Sequence, residues 1–250
     1  MKINEFIALS RSGHHAMTNW IIKNLVGFQN EWKYKITALG ETEVIYINEG
    51  NFDTDFTFKF IKENHQKIKS ILIGYEDITS DFTIFNNEKS FLGPLSKIHF
   101  SELGAKIVSR TIFIRDFYDN LSSRIRANNT EGMFVNYDGT PHMFDVEYEF
   151  IENWKSLAKS IIVNKSPFLR FEDWLENKSI RDNFLKENFN TIDLYGVENI
   201  QGTSSSFGDS KNYKKRFDPD LISDETKEII RKDNELHYLL GCMGYEYRKI

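Results

Sequence analysis

A short apolar run, Phe6-Ile7-Ala8-Leu9, stops at a loop of small and polar residues, Ser10-Arg11-Ser12-Gly13. Apolar residues then recur at Met17, Ile21, Ile22, Leu25 and Val26. That is the spacing of one helix face, so the opening reads as strand, tight loop and helix, the helix covering His14 to Val26. Two more runs, Ser70–Tyr75 and Ile107–Ile114, have the length and β-branched content of buried strands, and Val44–Asn48 is a shorter one. Helical spacing recurs over Phe56–Ile68, Phe117–Ala127 and Asp145–Asn164, the last with Ile151, Trp154, Leu157, Ala158, Ile161 and Ile162 inward. Phe168–Phe171 reads as a short strand leading to helices over 173–188. Start signals at Asp218-Pro219 and Ser223-Asp224-Glu225 precede a final helix that carries Ile229, Ile230, Leu236, Leu239 and Leu240 and ends at Gly241. Trp32–Leu39 fits a strand or an irregular loop, and 79–105 has only the Gly93-Pro94 turn signal.

Alternation of strand and helix argues an α/β fold: three layers, α/β/α, around a central, mostly parallel sheet. The 250 residues are 40% hydrophobic, with neither a low-complexity linker nor a repeat, which favours a single domain over 1–250. Aromatic residues make up 14% of the chain, including 21 phenylalanines, a composition that argues against disorder. With 32 basic and 37 acidic residues the net charge is −5, which disfavours a general nucleic-acid binder. Cys242 is the only cysteine, so no intrachain disulfide forms and no thiolate metal site is expected. Met1–Glu5 runs directly into the first strand, with no signal-peptide pattern. No stretch nears the ~18 apolar residues of a membrane span. A cytoplasmic protein is the expectation.

The first loop carries the chemistry. At a helix start the leading backbone N–H groups have no intrahelical partner, and with the positive end of the helix dipole they favour an anion. Arg11 adds a full charge and a planar donor fork suited to phosphate. The loop lacks the Gly-Lys-Ser/Thr of a Walker A motif. Instead, Arg11-Ser12-Gly13 followed by a helix resembles the 5′-phosphosulfate loop of sulfotransferases, which use 3′-phosphoadenosine 5′-phosphosulfate (PAPS). That loop commonly reads Pro-Lys/Arg-Ser-Gly-Thr-Thr; here Ser10 replaces the proline and His14-His15 the threonines.

A second stretch strengthens the resemblance. Arg115-Asp116 closes an apolar strand, and Ser123 follows eight positions after Arg115, inside the next helix. This is similar to the family's strand-ending Arg-Asp-Pro and its helical serine, with Phe117 in place of the proline. Independently of any family, ligands of open α/β sheets lie beyond the carboxyl ends of the strands, where an arginine grips phosphate bidentately and a serine hydroxyl donates. Arg115 in a surface ion pair with Asp116 or Asp119, and Ser123 as a small packing residue, are the plainer alternatives. Arg170-Phe171-Glu172-Asp173 looks like the family's Arg-Tyr-Glu-Asp segment, read as structural.

The resemblance implies a P-loop-containing, sulfotransferase-like fold and sulfuryl transfer from PAPS, releasing 3′,5′-ADP (PAP), with no metal expected. It places Arg11, Ser12, Gly13, His14, His15 and Ala16 on the 5′ end of the nucleotide, and Arg115 and Ser123 on the 3′-phosphate. Lys211, Lys214 or Arg216, from the densest basic cluster, would join the 3′-phosphate. Glu76 falls where cytosolic members carry a histidine base; other branches use a glutamate, so Glu76 is the first candidate base and His99 the second. Glu76 or Asp77 as a cap of the next turn is the plainer reading. His14 and His15, adjacent on a helix, are expected to point in different directions, to make a poor metal pair, and to leave either one to hold the sulfuryl group. The acceptor, a small molecule, carbohydrate or peptide, would be chosen by loops over 30–60, 79–105 and 129–145. A P-loop small-molecule kinase and a nucleotide-binding module without turnover remain alternatives.

Overall fold

The computed structural model describes residues 1–9, 12–27, 37–39, 44–48, 54–77, 105–131, 146–198 and 217–250. Its strands are β1 (Lys2–Ala8), β2 (Thr37–Leu39), β3 (Val44–Asn48), β4 (Ser70–Glu76), β5 (Lys106–Ile114) and β6 (Phe168–Arg170). Its helices are α1 (His14–Val26), α2 (Thr54–Asn64), α3 (Phe117–Glu131), α4 (Val146–Asn164), α5 (Phe171–Glu176), α6 (Lys178–Phe189), α7 (Asp224–Lys232) and α8 (Asn234–Cys242). Among the described residues the strands build one six-stranded sheet in the order β2-β3-β4-β1-β5-β6. Every pairing is parallel except that of edge strand β2 with β3.

Successive side chains of a strand point to opposite faces, and both faces here are covered. Phe6, Ala8, Tyr46, Leu72 and Phe113 share one face with Met17, Trp20 and Ile21 of α1, Trp174 of α5, and Phe184 and Leu185 of α6. Ile3, Ile7, Ile45, Ile47, Ile71, Ile73, Tyr75, Ile112 and Ile114 take the other, beneath α3, α4, α7 and α8. This is the three-layer α/β/α arrangement expected from the alternation. No helix among the described residues is long and apolar enough to cross a membrane.

Boundaries differ where polar side chains decide them. β1 starts four residues before Phe6 and carries the fully buried Asn4 and Glu5. Glu5 is tolerated because Arg110 Nε on β5 lies 2.5 Å from Oε2 and the Tyr75 hydroxyl on β4 donates to Oε1 at 3.2 Å. Phe171 opens α5 instead of ending β6, and Asn177 then breaks the helical stretch, its side chain accepting from the N–H groups of Ser179 and Ile180. The expected single C-terminal helix is two, because Asp233 leaves helical geometry and caps α8 through the Leu236 N–H.

Candidate functional site

The parallel register brings Ala8 of β1 beside Glu76 of β4 and Phe113 of β5. The turn after β1 is closed by Ser12 N–H donating to Leu9 O at 3.0 Å. Gly13 then takes a left-handed conformation, φ 87°, and starts α1 with no side-chain cap. Gly13 has no side chain to cap the leading amides of α1, the groups at a helix start that take an acceptor from outside the helix. Only glycine fits here: a Cβ on Gly13 would collide with the ring of Phe171. The Phe171 ring also lies 5.0 Å from the Arg115 guanidinium carbon, linking the loop to the end of β5.

Glu76 is the last residue of β4, half-buried, on the face that α1 covers. His14 Nε2 lies 3.4 Å and His15 Nε2 3.6 Å from the same carboxylate oxygen, Oε1. The two imidazoles, 3.8 Å apart between centroids, thus converge, contrary to the expectation that adjacent helical residues diverge. The reason is their place in the first turn: helical side chains lean toward the helix N-terminus, here the carboxyl edge of the sheet. Burial holds His14 neutral, with its pKa lowered to about 3. Its Nε2 is buried and has no hydrogen-bond partner among the described residues. Ala16, two residues after His14, is partly buried.

Tyr46 of β3 completes this corner, a residue to which no sequence motif points. Its hydroxyl approaches Gly74 so closely that a Cβ there would meet it. Burial, and secondarily the Glu76 charge, push the phenol well above its usual range, so it stays protonated. The only sequence signal for Tyr46 was strand alternation, which puts it on the α1 face with Val44. Asp77, left-handed at φ 49°, bonds Arg124 of α3 at 2.6 Å. Asp77 thus joins β4 to α3, and Glu76 is left facing the histidines.

At the end of β5, Arg115 is 1% exposed and Ser123, on α3, 2%. Burial lowers the Arg115 pKa, opposed by the carboxylates of Asp119, Glu172 and Asp116. The carbonyl of Arg115 accepts from the Trp154 indole at 3.0 Å. Asp116 and Asp119 form ion pairs with Arg248 from the C-terminal segment, each at 3.1 Å. Burial outweighs that pairing for Asp116 and raises its carboxyl to about 6. Glu172 accepts from the Asp116 N–H and the Tyr245 hydroxyl, both at 3.0 Å, a structural clamp as its segment suggested. Arg11, His99, Lys211, Lys214 and Arg216 lie outside the described residues.

No protein-family profile matches the chain, and no curated protein matches it either. Among solved structures, it is similar to a sulfotransferase domain from the curacin biosynthetic pathway, at 12% identity and a TM-score of 0.46, over 99% of each chain.

Proposed function

We propose that this protein is a sulfotransferase that moves a sulfuryl group from PAPS to a hydroxyl or amine of an acceptor. The observation that carries the reading is the corner where the glycine-led start of α1 meets the Glu76 carboxylate, with both histidines against it. This reading takes the helix start as an anion site and Glu76 as the proton acceptor beside it, at the carboxyl edge of a parallel sheet, where α/β ligands bind.

In this reading Glu76 takes the acceptor proton as the acceptor oxygen bonds to sulfur. The bond from sulfur to the bridging phosphate oxygen breaks, and its electron pair leaves with 3′,5′-ADP. The leading amides of α1, at Gly13, His14, His15 and Ala16, and the charge of Arg11 meet the charge developing on that oxygen. The neutral His14, or else His15, donates to the sulfuryl oxygens. Arg115, Ser123 and one of Lys211, Lys214 and Arg216 take the 3′-phosphate.

The test is transfer from radiolabelled PAPS to a panel of sugars, phenols, steroids and peptides, with Glu76→Gln in parallel. Label should reach at least one acceptor class with the unaltered chain. Glu76→Gln should keep binding 3′,5′-ADP while turnover falls about 10²–10⁴-fold, the span of a positioned general base. Equal turnover in the variant would remove Glu76 from the chemistry.

A further inference from the structure

One ring nitrogen of His14, one of His15 and a Glu76 carboxylate oxygen lie within 4.8 Å of one another. We propose that these three side chains form a binding site for one divalent transition-metal ion, zinc by ligand class. Two imidazoles and one carboxylate are a donor set that zinc takes, and three protein ligands leave its fourth position open. The spacing supports this. Zinc bonds of ~2.0–2.1 Å at tetrahedral angles place neighbouring ligand atoms about 3.4 Å apart. The two nitrogen–oxygen separations are 3.4 and 3.6 Å.

A second observation points to a ligand. His14 Nε2 is shut away from solvent, aims at the Glu76 carboxylate and has no hydrogen-bond partner among the described residues. A buried ring nitrogen in that position is costly unless something occupies its lone pair or its proton. The opposite side is accessible: the His15 and Glu76 side chains are 32% and 28% exposed, an entry path for an ion.

The metal site stands on this geometry alone. Its consequence for activity rests on the transfer reading: an ion on Glu76 occupies the carboxylate needed as base, so zinc turns transfer off and a chelator restores it.

Zinc affinity is measured by competition with a chromophoric chelator, on the unaltered chain and on His15→Ala, Glu76→Gln and His65→Ala, each checked for folding by circular dichroism. His65 is exposed and away from the cluster, its Nδ1 at 2.9 Å from Lys62 O. The expected result is one zinc per chain, affinity reduced at least about tenfold in each of the first two variants, and no change in His65→Ala. Cobalt should give the intense visible absorption of a four-coordinate ion. Equal zinc affinity in all four proteins, or a faint six-coordinate cobalt spectrum, overturns the site. Binding of 3′,5′-ADP in excess chelator is scored separately. Its absence sinks the transfer reading and leaves the metal site standing, whereas its presence without zinc binding does the reverse.

Discussion

Gly13 sets the geometry of the corner. Its φ of 87° is costly for any residue with a Cβ, and the Phe171 ring fills the space a Cβ would need. Gly13→Ala combines a left-handed alanine with overpacking, and should lower stability by about 2–4 kcal/mol in urea unfolding. A loss under about 0.5 kcal/mol would mean that the loop adapts freely. Asp116 offers a pH test. Its folded pKa, about 6, lies above the unfolded value, so its contribution to stability is full below the unfolded pKa and disappears as pH rises through 6. Carbon-detected NMR should find this carboxyl titrating near 6, and Arg248→Ala should move it higher still. Titration near 4 in the intact protein would contradict the burial argument.

At the scale of elements, the fit between β3 and β4 depends on Gly74, because the Tyr46 hydroxyl approaches where a Cβ would stand. Gly74→Ala should cost about 1–3 kcal/mol. Tyr46→Phe removes the clashing atom, so the double variant should recover part of that loss, a coupling of at least about 0.5 kcal/mol in a double-mutant cycle. Strict additivity would place the strain elsewhere. Periodicity made α1, α4, β4 and β5 legible in the sequence to within one or two residues. It failed where a local capping side chain interrupts a continuous apolar face: Asn177 between α5 and α6, Asp233 between α7 and α8. The positions of Glu76 at the end of β4 and of Gly13 at the start of α1 were legible because each closes or opens a recognisable element. Tyr46, and the convergence of His14 with His15, were not. The first depends on pairing between strands far apart in sequence, the second on the lean of side chains in a helix's first turn.

For the whole molecule, long-range polar pairs hold α1 to the layer formed with α6. Asp193 accepts from the Trp20 indole at 3.0 Å and pairs with buried Arg181 at 2.5 Å. Asp193→Ala leaves that guanidinium without its carboxylate and should cost about 3–5 kcal/mol. Burial would raise the Asp193 pKa, but Arg181, the Trp20 N–H and the Gly196 N–H together hold it below the ordinary value. Its stabilising effect is therefore present above the unfolded pKa and lost as pH falls through the lower, folded one. Acid unfolding should start at higher pH in Asp193→Asn, and an unchanged acid midpoint would contradict this. Such pairs, 173 residues apart for Trp20 and Asp193, leave no periodic trace in the sequence.

The central claim is that two anion sites, one at α1 and one at the end of β5, hold the two ends of a 3′-phosphorylated nucleotide. Calorimetric titration of 3′,5′-ADP against 5′-AMP, in excess chelator, tests it most directly. Hydrogen bonds to charged groups contribute about 1.5–3 kcal/mol each, so 3′,5′-ADP should bind roughly 10- to 150-fold tighter. Arg115→Ala should erase most of that advantage while leaving 5′-AMP binding nearly unchanged. Equal affinities for the two nucleotides in the unaltered chain would contradict the account.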